Sequence, residues 1–498
     1  MSEYLHGAYG QTQAEGARVA QRSLSAMVYV GTAPVHTLEG GAANLNKPVL
    51  VNNIAEARRA FGYSDNWADY TLCEAMKVHL EQKGVGPLVL INVLNPATHK
   101  EATPGTATQK PTNGIIVIAE AEKVILDSVE VKTVEAEPVT KQKGTDYTIG
   151  YNAAKQTITI AEMTAGALGT DNLNITWNII KPDAVDNDDV IGASDGEGLN
   201  TGLFAVKNVY QETGYIPSFL LAPGFSGVPA IHAAMVANSK KINGHWDAYL
   251  FVDIPITHSG TGITMTSAKT WKEANDYNQE NETVYFPLAQ GVDGNIYHLS
   301  VLAAANFQEL LTEQDGIPYR TASNTPCPII QNLYLGAAVT GRVYDDTLIN
   351  EKLNKNGIAS AAYVGGQWVI WGAHSADYNQ SSTDQINLAE TNRMMLYYIS
   401  NDFQHRRTRD VDEPLTPNDL ASIVAEEQMR LDALVQTGAL TYGEVHINAD
   451  EIARSDMYSG DYSFAFRVTT TPLAKSLTAI VTWTPDGFAV YFAEPQAD

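Results

Sequence analysis

Cysteine is almost missing from this 498-residue chain: Cys73 and Cys327 are the only two, and neither lies in a CxxC or Cys/His spacing. A disulfide framework and a zinc site are therefore not expected, and both thiols read as buried and free. Charge is scarce as well, at 18% of residues against about 25% in typical soluble chains. What charge there is leans to one sign, with 57 acidic residues against 32 basic ones and a formal net charge of −25. Such a surface repels a phosphate backbone instead of releasing its counterions, which argues against nucleic-acid binding. No apolar run approaches the roughly 18 residues that would span a bilayer. The opening MSEYLHGAYGQTQAEG lacks a basic segment followed by an apolar one, so a protein made and kept in a cytosol, without direct membrane insertion, is expected.

Catalytic signatures are also wanting. Asp247 and Asp253 flank an expected strand, His258 follows five residues after the second, and serines such as Ser267 are plentiful, so the raw ingredients of a Ser/His/Asp triad exist. No GxSxG elbow sets up a nucleophile, and these groups read as strand-end and loop polar residues. Gly260-Thr261-Gly262 lacks the third glycine of a phosphate cradle, and no GxxxxGK[ST] occurs. Asp186, Asp188 and Asp189 have the chemistry of a weak calcium site but sit in a polar stretch that reads as a solvated linker. No catalytic residue, metal or cofactor is assigned.

What is present is enough chain for about three domains, at roughly 150 residues each. Residues 1–22 are polar and rich in Gly, Ala and Gln, and read as an extended arm. Residues 23–99 start with a buried strand, Ala26–Val30, continue through a helix over Asp65–Lys83 capped by Gly84, and reach a second apolar run, Pro87–Leu94, that suits a strand covered on both faces. Residues 100–185 pass from linker composition at 95–113 into short Val/Ile/Thr-rich segments, with strands expected at Gly114–Ile118, Lys123–Leu126, Thr157–Ile160 and Asn174–Ile179, hence a small inserted all-β domain. Residues 186–385 alternate: strands at Ser218–Ala222, Ala248–Ile254 and Thr283–Leu288, helices at Val228–Ile242, Ser267–Gln279 and Tyr297–Thr312. That alternation predicts an α/β layer with a mostly parallel sheet.

Residues 386–487 read as an α+β domain with two amphipathic helices. The first runs over Leu388–Phe403. The second starts at Thr416-Pro417-Asn418-Asp419, turns Leu420, Val424, Leu431 and Leu434 inward, and stops at Gly438. A terminal hairpin is expected, Leu477–Thr484 with Phe488–Phe492 around Pro485-Asp486-Gly487, and residues 488–498 form a second arm. Within this acidic stretch the run His405-Arg406-Arg407-Thr408-Arg409 stands out. Basic residues suit a helix C-terminus, and they also suit a docking patch for an acidic partner.

In this order, the segments resemble one family. Tyr4-Leu5-His6-Gly7, Val30-Gly31-Thr32-Ala33-Pro34, Pro48–Val51, Ala55–Gly62, Gly316–Asn324, Leu353–Ile358 with Trp368–Gly372, Asn392–Tyr398, Arg430–Val435, Gly438-Ala439-Leu440 and Tyr458–Pro472 are similar to blocks of the contractile tail sheath proteins of myophages and phage-tail-like particles, nearest to Mu-type sheaths. The resemblance implies a structural subunit and not an enzyme: an α+β multidomain chain whose α/β sheath domain has a subtilisin-like fold without the catalytic triad, with an outward-facing inserted β domain. It implies homo-oligomers in hexameric rings, stacked helically around a tail tube protein, bounded by baseplate and tail terminator proteins, and contracting to drive the tube through the target envelope. Such subunits belong to a virion tail or tail-like particle assembled in the host bacterial cytoplasm. The family's terminal strand-exchange arms fall here on Tyr4, Leu5, Val19, Phe488, Val490, Tyr491 and Phe492, and the tube-facing interface on Arg393, Arg406, Arg407 and Arg409. The alternatives are a hydrolase using the α/β domain, or another structural tail or surface-layer subunit.

Overall fold

The computed structural model describes residues 24–339, 341–378, 385–447, 459–488 and 491. The chain divides into two units, Met1–Leu415 and Thr416–Asp498.

The first unit is built on an eight-stranded sheet in the order Val49–Val51, Leu88–Asn92, Ser25–Gly31, Ile216–Leu221, Tyr249–Asp253, Glu282–Tyr285, Ile358–Val364 and Gln367–Trp371. All pairings are parallel except those of the first and last strands. The continuous apolar runs explain why: Leu88–Asn92 and Tyr249–Asp253 are buried at every position, as parallel strands covered on both faces must be. The α/β alternation expected for residues 186–385 is present, but three of the eight strands, the central Ser25–Gly31 among them, come from residues 25–92. The helix Leu299–Glu313 is buried around most of its circumference, which Ala303, Ala304 and Ala305 permit by letting neighbours approach closely.

Between Leu88–Asn92 and Ile216–Leu221 the chain leaves the sheet. Residues 105–177 make one antiparallel sheet of four strands and one of three, with Ile116, Ile118, Val131, Ile158, Ile160 and Ile175 in a core separate from that of the main sheet. Strict alternation does this: in Thr157–Glu162 the isoleucines point in and the threonines out. Polar contacts fasten the insertion to the body. His36 Nε2 lies 2.8 Å from the Glu122 carbonyl, Gly40 N–H donates to Asp127 over 2.8 Å, and Lys143 bridges Glu39 and Asp127.

Several expectations need correction. Lys123–Leu126 is not a strand but lies across two 3-10 turns, Ala121–Lys123 and Leu126–Ser128, its pairing reduced to the single bridge Val124 to Ile179. Gly105–Gln109, read as linker, is an edge strand of threonine and small residues. The helix expected over Asp65–Lys83 begins at Leu72 and widens to a π-type turn over Met76–Lys83, ending as expected on left-handed Gly84. The helix Glu390–Arg407, assigned from sequence to a carboxy-terminal domain, lies within the first unit. Its buried Glu390 accepts from Thr283 (2.6 Å) and Thr321 (2.5 Å), and Asn401 pairs with the backbone of Asp247.

Over its described residues the second unit has one long helix and a two-stranded sheet. Thr416 and Asp419 form a reciprocal capping box with Pro417 at the first helical position, and the helix runs over Pro417–Gln436 before Gly438, at φ 79°, turns the chain back. Leu420, Ile423 and Leu431 face inward. Leu440–Ile447 and Phe464–Thr470 pair antiparallel, and Gly443 sits directly under Leu431, where a Cβ would lie 2.9 Å from it. Residues 471–484 form no strand, and Pro485–Phe488 is a 3-10 turn. The expected hairpin of Leu477–Thr484 with Phe488–Phe492 is therefore not formed over its described residues: Pro485-Asp486-Gly487 curls instead of reversing the chain, and the first arm pairs with no strand among the described residues.

Candidate functional site

In open parallel sheets, ligands bind beyond the carboxyl ends of the strands. Here that position is filled by the protein's own side chains. Asp253, the last residue of its strand and 4% exposed, accepts from Ser300 N–H (3.1 Å) and Ser300 Oγ (2.5 Å) at the start of the helix Leu299–Glu313. Glu74, equally buried, accepts from His298 N–H and Nδ1, both at 2.6 Å. Two carboxylates thus occupy the anion-attracting end of one helix. Burial lowers the His298 pKa, but the facing Glu74 carboxylate outweighs it, with Asp253 adding, and the imidazole is held up at about 9. Burial raises the Asp253 pKa against the opposing pull of His298 and Ser300.

No nucleophile and base meet in this cluster: Ser300 Oγ is engaged by Asp253, and His298 by Glu74. His258 lies elsewhere, exposed in the short strand Thr257–His258 with its ring against Trp271. Ser267 is tied to Thr264. Asp186 caps a short helix by accepting from Asp188 and Asp189 N–H, and the Asp189 carboxylate accepts from Asp186 N–H and lies 3.1 Å from His99 Nε2. Among the described residues no group of three or more His, Cys, Asp or Glu side chains could hold a metal ion, and no helix is long and apolar enough to cross a membrane. Cys73 and Cys327 are buried, and burial pushes their thiols up to about 12 and about 11.

The arginines are largely engaged within the chain. Arg393 reaches Glu280 at 2.6 Å, Arg406 reaches Asp402 at 2.9 Å and Arg407 reaches Asp410 at 3.1 Å, all with mostly covered side chains. Arg409 differs: its side chain is 75% exposed, with Asp410 at 3.5 Å.

The most unusual surface lies in the second unit. Leu477, Ile480, Val481 and Trp483 are 77–92% exposed, in a segment Leu477–Thr484 without a single charge. Along an extended chain, Leu477, Ala479, Val481 and Trp483 share one face, and Thr478, Ile480, Thr482 and Thr484 the other. In the same unit Phe464, Phe466 and Val468 of the sheet are only half-buried. Sequence composition marks this segment as β-prone, but it forms no strand over its described residues, and most of the partner expected for it, Phe488–Phe492, lies outside them. Of the expected exchange residues, Phe488 (55% exposed) packs loosely between Trp483 and Tyr491, and Tyr491 is exposed. Tyr4, Leu5, Val19, Val490 and Phe492 lie outside the described residues.

No family profile matches the chain. The tail sheath protein of Burkholderia phage BcepMu is 26% identical over 272 residues, 54% of this chain, and the match spans about half (51%) of that relative's length. The fold is similar to the anti-feeding prophage baseplate chain (TM-score 0.55, 14% identity, covering 97% of this chain and 100% of that one). It is equally similar to the PVC sheath of an extracellular contractile injection system in its contracted state (TM-score 0.55, 10% identity, covering 98% and 99%). The contracted helical sheath of the anti-feeding prophage gives a TM-score of 0.53 at 13% identity, covering 97% and 100%. The resemblance to contractile tail sheath proteins therefore holds in sequence and in fold, and the chain is a mixed α+β multidomain protein of that architecture.

Proposed function

We propose that this chain is the structural subunit of a contractile tail sheath, polymerising as stacked hexameric rings around a tail tube and contracting to drive that tube through a target envelope. One observation carries the reading. Over its described residues the second unit holds a two-stranded sheet, packed on one helix, whose outer edge Phe464–Thr470 pairs with no further strand, and it presents an exposed, uncharged, Val/Ile/Thr-rich segment that pairs with none of those residues either. Each copy offers what another lacks, and β-augmentation between copies satisfies both. In this reading Leu477–Thr484 and the arms at residues 1–22 and 488–498 are the donated elements, and the Phe464–Thr470 edge is an acceptor.

The α/β body is the subtilisin-like sheath domain, working as a scaffold: its strand ends are filled by Asp253, Glu74 and Ser300, with no nucleophile aligned on a base. The insertion over residues 100–185 faces outward, which its separate core and its 14 acidic against 7 basic residues over 101–190 suit. Of the four arginines proposed to face the tube, Arg409 presents the exposed charge, while Arg393, Arg406 and Arg407 hold their own surroundings in place. Partners are further copies, the tube protein, baseplate and terminator proteins, in a virion tail or tail-like particle assembled in the host bacterial cytoplasm.

Negative-stain microscopy of the purified protein tests this. Helical cylinders with six-fold rings are expected. Monomers that turn over a hydrolase substrate, or flat two-dimensional arrays, replace the reading by an enzyme or a surface-layer subunit.

A further inference from the structure

The chain contains three Asn-Gly pairs, Asn113-Gly114, Asn243-Gly244 and Asn356-Gly357. In such a pair the glycine nitrogen can attack the asparagine side-chain carbonyl carbon, because no Cβ stands in the way. The reaction needs an amide group that can turn toward the nitrogen and a nitrogen whose N–H is not engaged. Two of the three pairs are tied down on both counts. Asn243 donates its amide N–H to the Lys207 carbonyl and to Gln211 Oε1, while Gly244 N–H donates to the Lys241 carbonyl at 2.7 Å. Asn356 donates to the Lys352 carbonyl at 2.9 Å, and Gly357 N–H to the Asn354 carbonyl at 3.1 Å.

Asn113-Gly114 is different. Both residues are left-handed, at φ 53° and 72°, in a tight turn closed by hydrogen bonds between Thr112 and Ile115 in both directions. Asn113 is exposed, and among the described residues neither its side-chain amide nor the Gly114 N–H has a partner. We infer that Asn113 is a site of spontaneous deamidation in the folded protein, while Asn243 and Asn356 are protected by their hydrogen bonds. Gly114 N forms a bond to Asn113 Cγ, the Cγ–Nδ2 bond breaks, and ammonia leaves with the displaced proton. Water then opens the resulting succinimide at either carbonyl, leaving aspartate or isoaspartate.

The location gives the change a consequence. Pro111–Ala119 carries no charge, and it leads into the edge strand Ile115–Ile118, whose Ile115 and Val117 are 43% and 49% exposed. The Glu162 carboxyl packs so closely on Gly114 that a Cβ there would collide with it. Deamidation thus adds a carboxylate on the residue next to the glycine that Glu162 covers, and isoaspartate also lengthens the backbone at a turn that two hydrogen bonds hold closed.

Peptide mass spectrometry on the full-length protein, aged at mildly alkaline pH, tests this with the other two pairs as internal references. The expected result is conversion at Asn113 several times faster than at Asn243 or Asn356, no conversion there in Asn113→Gln, and comparable rates at all three in denaturant. No conversion at Asn113, or equal rates at the three sites in the folded protein, overturns the inference.

Discussion

Replacing Val481 by aspartate probes strand donation where the geometry makes its sharpest statement. Val481 is 92% exposed, so the substitution removes no contact within the subunit, and its effect on subunit stability belongs with other surface changes at within about 0.5 kcal/mol. Its effect on assembly is of another size. If the Leu477, Ala479, Val481 and Trp483 face is buried against a neighbour, the variant forfeits about 1.5–3 kcal/mol for an aliphatic side chain and drives a carboxylate into an apolar seam, where the penalty is several kcal/mol. A loss of about 4 kcal/mol per contact weakens each one nearly 1,000-fold, at about 1.4 kcal/mol per factor of ten. Thr482→Asp is the matched control, since Thr482 lies on the opposite face of the extended segment. Sedimentation velocity and negative-stain microscopy should show cylinders for the parent and for Thr482→Asp, and folded monomers for Val481→Asp, with circular dichroism confirming the fold. Cylinders from Val481→Asp at the parent's concentration threshold refute the donation of this segment.

Other consequences can be measured alongside. Because the folded His298 pKa is raised to about 9 from an ordinary value near 6.5, its contribution to stability is fully present below about pH 6.5 and is lost as pH rises through 9. Lys272, lowered to about 8 chiefly by burial, acts in the opposite direction over part of that range, so the informative quantity is the difference in urea midpoint between parent and His298→Gln, which should shrink between pH 7 and pH 10. Glu390→Ala leaves the hydroxyls of Thr283 and Thr321 without their acceptor and should lower stability by about 2–4 kcal/mol, read by thermal melting, with Glu390→Gln retaining part of it. Arg409→Glu should prevent assembly on tail tubes while sparing tube-free polymers; unchanged tube-bound assembly would remove this arginine from the proposed contact.

Local propensity was legible where it ran unbroken. Ser25–Gly31 and Leu88–Asn92 are continuous apolar runs, and the capped helix from Thr416 announces itself at both ends. Their placement was not legible, because parallel pairing is nonlocal: Met27 lies beside both Leu88 and Phe219, partners distant in sequence. Leu440–Ile447 is hard to read from sequence because Gly443-Glu444 puts the alternation of Leu440 and Tyr442 out of phase with that of Val445 and Ile447. The pairing of Glu74 with His298 joins two segments with nothing in common but their place around the sheet. Arg406 and Asp402 stand four residues apart on one helix, so their ion pair is readable from spacing alone. For Leu477–Thr484, residue type sets the tendency to form a strand and says nothing about whether an edge is at hand to pair with it.

The filled strand ends of the α/β body have a mechanical meaning. A ligand crevice must remain open, and an open crevice is a soft spot at which a loaded fold deforms. With Asp253 and Ser300 locked together and Glu74 braced against His298, these strand ends are closed on themselves, and a close-packed interior compresses little and passes strain on. In a sheath built of such subunits, displacement is taken up in the thin connections between stiff blocks, and work done at one end of the cylinder reaches the other without being absorbed along the way.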